Sequence, residues 1–344
     1  LRALADAWQR ERAKVLSSAE HIVSALSARS EQLAEEGADS PYASGRTKDL
    51  LVSALGQFSE SFDKREGGFG DAPKFPPAVQ VSLLLRMSQR LSRDEASQQA
   101  RHMAICTLER MARGGLCDQL GGGFHRYSTD AEWLVPHFEK MLYDNGLLAL
   151  SYLEAFQLTE DKWLAEVARD TLTYISRDLG ANCGAFFSAE DAGEVGQEGE
   201  FYVWSEAELR EALGADRFKQ FAQVFSLPRG GNFEHGKLIL TVAKGLEWSA
   251  RYAEAFRPVH AAAAAARARR ARPRRDEKII TAWNGLAVTA FSKGFQVLGD
   301  SSFLHAARSA AEFMIAHLAL PSGLCRIHCG GIASQRACLE DYAY

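Results

Sequence analysis

The residues best suited to chemistry crowd into one stretch. From Gly121 to Gly146 the chain reads GGGFHRYSTDAEWLVPHFEKMLYDNG, which brings His125, Arg126, Tyr127, His137, Lys140, Asp144 and Asn145 close together. Histidine and carboxyl groups move protons, arginine and lysine hold negative charge, and a glycine-rich loop lets backbone approach a ligand closely. One reading is a ligand pocket built from these groups. The other is a buried ionic ladder in which Asp144 neutralises Lys140 or His137, because buried charges are costly unless paired. His125, Arg126 and Tyr127 favour the pocket, since binding residues concentrate on loops at the ends of scaffold elements.

The elements that must hold these groups are helices. Pro136 suits the first turn of a helix, where its missing donor would have no partner, and the spacing predicts that helix over 137–157. On a wheel of about 100° per residue, Lys140, Asp144 and Ser151 share the side of His137, while Glu139 points away. The remaining faces carry Phe138, Leu142, Leu150, Tyr152 and Leu153, the mark of a buried helix with one polar stripe. Similar spacing predicts helices over 3–30, 47–63, 78–91, 97–113, 161–178, 205–226, 281–298 and 301–319. Strand-like runs are few, and GEFYVW at 199–204 and GKLILTV at 236–242 are the clearest.

Glycine-led turns punctuate the helices in a rhythm. EGGFG, GGGFH, CGAFF and SGLCR close successive pairs. The interval from Gly68 to Gly123 nearly matches that from Gly123 to Gly184, whereas Gly184 to Gly323 is more than twice as long. YDNGLLAL at 143–150 resembles AWNGLAVT at 282–289, and Asn145 to Asn284 repeats the Gly184-to-Gly323 interval. The chain is therefore read as helical hairpins of about 55–60 residues, arranged as an all-α (α/α) toroid of inner and outer helices. Residues 1–185 and 276–344 form one discontinuous toroid domain, and 186–275 is an insertion with short strands, helices and a basic arm. The sequence stops at CLEDYAY, where a further hairpin would begin, so the ring is expected to be incomplete within it. Trp283 and Asn284 then face the same centre as Asp144, and Asp341 and Tyr342 stand where the next inner helix starts. Aromatic rings beside hydrogen-bonding groups suit a sugar.

The rest of the chain narrows the function classes. A net charge of -4 gives no pull towards nucleic acid, and no apolar run is long enough to span a membrane. Six scattered cysteines suit reduced thiols in a cytoplasmic setting. CRIHC at 325–329 lacks a second set of ligands, so no metal or other cofactor is expected. The arginine-rich AAAAAARARRARPRRDEK at 261–278 reads as a solvated arm. SEAE at 205–208 is a capping box. SAED at 188–191 is as well read as a solvated loop as a site, and His235 has no evident partner.

Several segments together resemble a known family. GGFGDAPKFP, DQLGGGFHRYSTDAEWLVPHFEKMLYDN, GAFFSAEDA, GEFYVW, GNFEHGKLIL, DEKIITAWNGL and LEDYAY are similar, in order, to signatures of the YyaL-type, spermatogenesis-associated thioredoxin-domain-containing proteins. The resemblance implies an (α/α)6 toroid of the six-hairpin glycosidase type, similar to N-acylglucosamine 2-epimerases and cellobiose 2-epimerases. It also implies a thioredoxin-like domain as a partner, outside this sequence. In the epimerase chemistry so implied, His125 and His137 exchange a proton at the carbon beside the carbonyl of an opened sugar. Asp144 orients His137, Arg126 polarises the carbonyl, and Tyr127, Lys140, Asn145, Trp283, Asn284, Asp341 and Tyr342 bind substrate. The alternatives are a glycoside hydrolase using paired carboxylates drawn from Asp144, Glu139, Asp191 and Asp341, and a non-catalytic sugar-binding or protein-interaction module.

Overall fold

A computed structural model describes residues 2–36, 46–91, 95–194 and 196–344. The chain divides into two compact units, Leu1–Gly56 and Gln57–Tyr344. The first holds α1 (Arg2–Arg10) and α2 (Arg12–Glu36), and the boundary falls within α3 (Arg46–Ser61).

The second unit is built from helical hairpins. α4 (Ala78–Arg90) packs on α5 (Glu95–Arg113), and α6 (Leu142–Thr159) packs on α7 (Lys162–Tyr174). After α8 (Glu206–Val224), α9 (Trp248–Arg251) and α10 (Arg257–Arg267), α11 (Thr281–Leu298) packs on α12 (Ser301–His317), and α13 (Leu339–Ala343) follows. α4, α6, α11 and α13 lie side by side in chain order, each touching the next. α5, α7 and α12 back their own partners. That is the inner and outer layering of an (α/α) toroid, and it places the N-termini of the inner helices at one end.

Short strands sit at that end. β1 (Tyr127–Ser128) pairs antiparallel with β2 (Pro136–His137). β3 (Lys140–Met141), β4 (Ala189–Glu190) and β5 (Arg275–Asp276) form a second sheet. β6 (Ile279–Ile280) and β7 (Ala319–Leu320) both pair with β8 (Gly323–Cys329), which also pairs with β9 (Ile332–Arg336). CRIHC therefore lies on a strand of a β-hairpin.

The long interval that repeats in the sequence is structural. α6 and α11 are both 18 residues long, and their first residues, Leu142 and Thr281, are offset as Asn145 and Asn284 are. Each is preceded by a short strand, β3 or β6, at the same offset. Each ends in a left-handed residue, Glu160 at φ 63° and Gly299 at φ 72°. Glycine adopts that conformation freely, whereas a side chain there costs about 1–2 kcal/mol. α6 buries Leu148, Tyr152 and Leu153 completely, each of which stabilises the fold by roughly 1.5–3 kcal/mol.

Three expectations from the sequence need correction. The helix predicted over 137–157 begins at Leu142, and Pro136, His137, Lys140 and Met141 lie in strands. In extended backbone the side-chain period is two, so His137 and Glu139 share a face and Phe138 and Lys140 share the other. The runs at 199–204 and 236–242 are mostly loop, joined by a single bridge between Trp204 and Leu238. Their apolar residues instead cluster with Phe138: Phe201, Tyr202, Val203 and Ile239 are all buried there. The arginine arm is solvated only in part: Arg274 is exposed, whereas other arginines are held by the protein. Arg267 grips buried Asp118, Arg272 bridges Asp178 and Glu190, and Arg270 lies 3.9 Å over the Trp204 ring. The Ser205–Glu208 capping box forms as the sequence indicates.

Candidate functional site

The loop carrying the opening motif is locked to the inner helices by asparagines. The Asn145 Oδ1 accepts from the Phe124 amide at 2.7 Å, and its Nδ2 donates to the Phe124 and Met141 carbonyls. Asn284 does the same with Phe186 and Ile280. Both asparagines are fully buried, so their polar atoms serve the backbone of the glycine–aromatic turns. The first clamp spans 21 residues and the second 98. The chain between turn and inner helix is thus far longer in the second repeat.

Beyond the clamp, alternation sorts the motif into two faces. One points into the protein. Lys140 Nζ donates to Asp118 at 2.7 Å and to the Gly122 carbonyl at 2.9 Å, and lies 4.2 Å over the Tyr174 ring. Arg267 closes on the same aspartate. Asp118 is fully buried; burial alone would raise its pKa, but Arg267 and Lys140 together hold the carboxyl well below its usual range. His125 Nδ1 meets the Phe138 carbonyl at 2.9 Å. Burial, helped by nearby Lys140, pushes the imidazole down to about 3, with Asp118 opposing. His125 and Lys140 are therefore interior groups, and the carboxylate on Lys140 is Asp118 rather than Asp144.

The other face is open and polar. Arg126 Nη1 donates to Glu139 at 2.8 Å, and the same carboxylate lies 3.2 Å from His137 Nε2. Glu198 stands 3.8 Å from His137 Nδ1, and Tyr127 stacks on the His137 ring at 5.0 Å and 21°. Glu139, not Asp144, is the carboxylate that orients His137. The loop between β1 and β2 is folded by Asp130, whose carboxylate accepts the Glu132, Leu134 and Val135 amides.

Asp144 occupies the first turn of α6. Burial pushes its carboxyl up to about 7 against the opposing pull of Arg126 and Tyr143. One oxygen of Asp144 and the Nε of Arg126 are buried without a hydrogen-bond partner. Tyr143, beside the carboxyl, meets Trp283 of α11 edge-on at 4.7 Å. Asp341 is turned to structure: it accepts the Ala282 and Cys338 amides and pairs with Arg326 at 3.0 Å. Tyr342 is exposed, and its hydroxyl accepts the Leu324 amide.

The geometry brings together Arg126, Tyr127, His137, Asp144 and Trp283, and adds Glu139, Tyr143 and Glu198, which the sequence reading left without a binding or orienting role. The missed signal is the alternation in FHRYS and VPHFEK, whose period of two belongs to strands. Among the described residues, no group of three or more His, Cys, Asp or Glu side chains is placed to hold a metal ion. Among them, too, no helix is long and apolar enough to cross a membrane.

Fold and site define the class: helical hairpins in inner and outer layers, with a polar, aromatic-walled site where the inner helices begin. No family model matches the chain. It is 34% identical to spermatogenesis-associated protein 20 of Rattus norvegicus over 99% of its own length and 48% of the relative's. It is 35% identical to the Homo sapiens protein of that name over 98% and 48%. Over nearly its whole length the chain is a homologue of spermatogenesis-associated protein 20, the family that its motifs resemble. It spans about half the length of the curated relatives it matches. Among solved structures it overlaps a sugar epimerase from a ruminal bacterium at 13% identity and TM-score 0.35, covering 81% of this chain and 90% of that one. It overlaps a glycoside hydrolase family 76 mannosidase from Bacteroides thetaiotaomicron at 9% and 0.41, covering 70% and 44%.

Proposed function

We propose that the site at Asp144 belongs to a carbohydrate-active protein and exchanges a proton at the carbon beside a sugar carbonyl, as a 2-epimerase or isomerase does. The observation that carries this reading is the buried Asp144 carboxyl, one oxygen of which has no partner, set near the Arg126 guanidinium and pushed up to about 7 by burial. A general base works best when its pKa lies near the operating pH. Asp144 takes the proton from C2 of the open-chain aldose, leaving an enediolate. Arg126, fixed by Glu139, steadies the oxyanion. His137, held between Glu139 and Glu198, returns a proton to the opposite face of C2. Tyr143 and Trp283 carry the apolar face of the sugar. His125, buried and neutral, takes no part in this scheme. The thioredoxin-like domain of the whole protein is the proposed partner.

A second reading has its own observation. Asp144 and Glu139 flank one guanidinium, so Asp144 as acid and Glu139 as base would serve glycoside hydrolysis. Incubation with a panel of aldoses in heavy water separates the readings. Deuterium at C2 supports epimerisation, and release of reducing ends from a glycoside panel with no exchange would overturn it in favour of hydrolysis.

A further inference from the structure

The chemistry proposed for Asp144 leaves Phe75 unexplained. Its side chain stands 57% exposed, yet the backbone beneath it is firmly held. Lys74 and Ser128 exchange two main-chain hydrogen bonds at 2.9 and 2.8 Å. The buried Lys74 ammonium donates to Asp63 and to the Gly67 and Ala131 carbonyls. Pro76 and Pro77 follow, which fixes the chain on the other side. Ordering a large ring against solvent costs conformational entropy and gains little burial in return.

The ring is also the open end of a stack. Phe75 lies 4.8 Å from Tyr127 at 32°, and Tyr127 lies 5.0 Å from His137 at 21°. His137 leads through Glu139 to Arg126, beside Asp144. A row of pre-set rings thus runs outward from the reacting groups, and presetting lowers the entropy lost when a ligand binds.

We propose that Phe75 forms a second saccharide subsite, so that the ligand has at least two linked sugar rings. One ring sits at Asp144 and Trp283, and the next lies along the Phe75–Tyr127 stack with its apolar C–H face on aromatic carbon. This inference rests on the sugar reading of the Asp144 site. The test is calorimetric titration of the full chain with glucose, mannose, cellobiose and α-1,6-mannobiose, for wild type, Phe75→Ala and Phe75→Trp. The expected result is that a disaccharide binds the wild type more tightly than its monosaccharide. Phe75→Ala should cost the disaccharide about tenfold and the monosaccharide less than twofold, with Phe75→Trp restoring the difference. Equal affinities for mono- and disaccharide, unchanged in Phe75→Ala, would overturn the subsite and leave the sugar reading standing. Failure of every sugar to bind would overturn both.

Discussion

Asn145 and Asn284 make the same three hydrogen bonds, each to both main-chain atoms of a turn phenylalanine and to the carbonyl one helical turn before itself. Each ties a glycine–aromatic turn to the first turn of an inner helix. The clamp fixes the end of the toroid on which the polar site is built, so its loss should act on folding before it acts on chemistry.

Replacing either asparagine with alanine takes these partners from the buried amide and carbonyl of the turn phenylalanine. Each variant should lose about 2–4 kcal/mol of stability in chemical denaturation. Losses below about 0.5 kcal/mol would show that the clamps are dispensable.

The glycines that follow them should behave differently from one another. A Cβ at Gly146 would meet Leu286 of α11 at an ordinary 3.6 Å, whereas one at Gly285 would lie 2.8 Å from the Tyr344 backbone. Gly146→Ala should therefore stabilise α6 by up to about 1 kcal/mol, through helix propensity. Gly285→Ala should destabilise, because backbone rather than a flexible side chain must yield. Equal effects in thermal melts would contradict this account of how closely the inner helices approach.

Stability should also report the Asp144 carboxyl. Its pKa is about 7 in the folded protein against 3.8 in the unfolded chain, so between those values the folded state holds the extra proton. Its contribution is then most favourable at low pH and weakens as pH rises through this window. Asp144→Asn should gain on the wild type by about 1.4 kcal/mol per pH unit over most of the window. His125 shifts in the opposite sense, from 6.5 to about 3, but is common to both proteins and cancels. Parallel stability curves would mean that Asp144 is not perturbed.

Much of this architecture was legible in the sequence because repetition was written into it. The matched Asn-Gly pairs and glycine turns carry the offset that α6 and α11 keep. The site was legible only in part. Pro136 and the apolar residues around His137, Glu139 and Lys140 fit a helical start. Positions 136–141 are extended instead, since they pair with β1 and β4. Such pairing depends on distant partners, at Glu190 for example, which spacing along one segment cannot reveal. The grip of the arm's Arg267 and Arg272 is hidden for the same reason. Their partners Asp118, Asp178 and Glu190 lie far away in sequence, so local composition suggested solvent.

The most direct test of the central claim is deuterium incorporation at C2 of an aldose in heavy water, measured against pH for wild type and Asp144→Asn. The account predicts exchange by the wild type, rising through a pH near 7 as Asp144 ionises, and a loss of at least about a hundredfold in the variant. Exchange that proceeds undiminished in Asp144→Asn would contradict it.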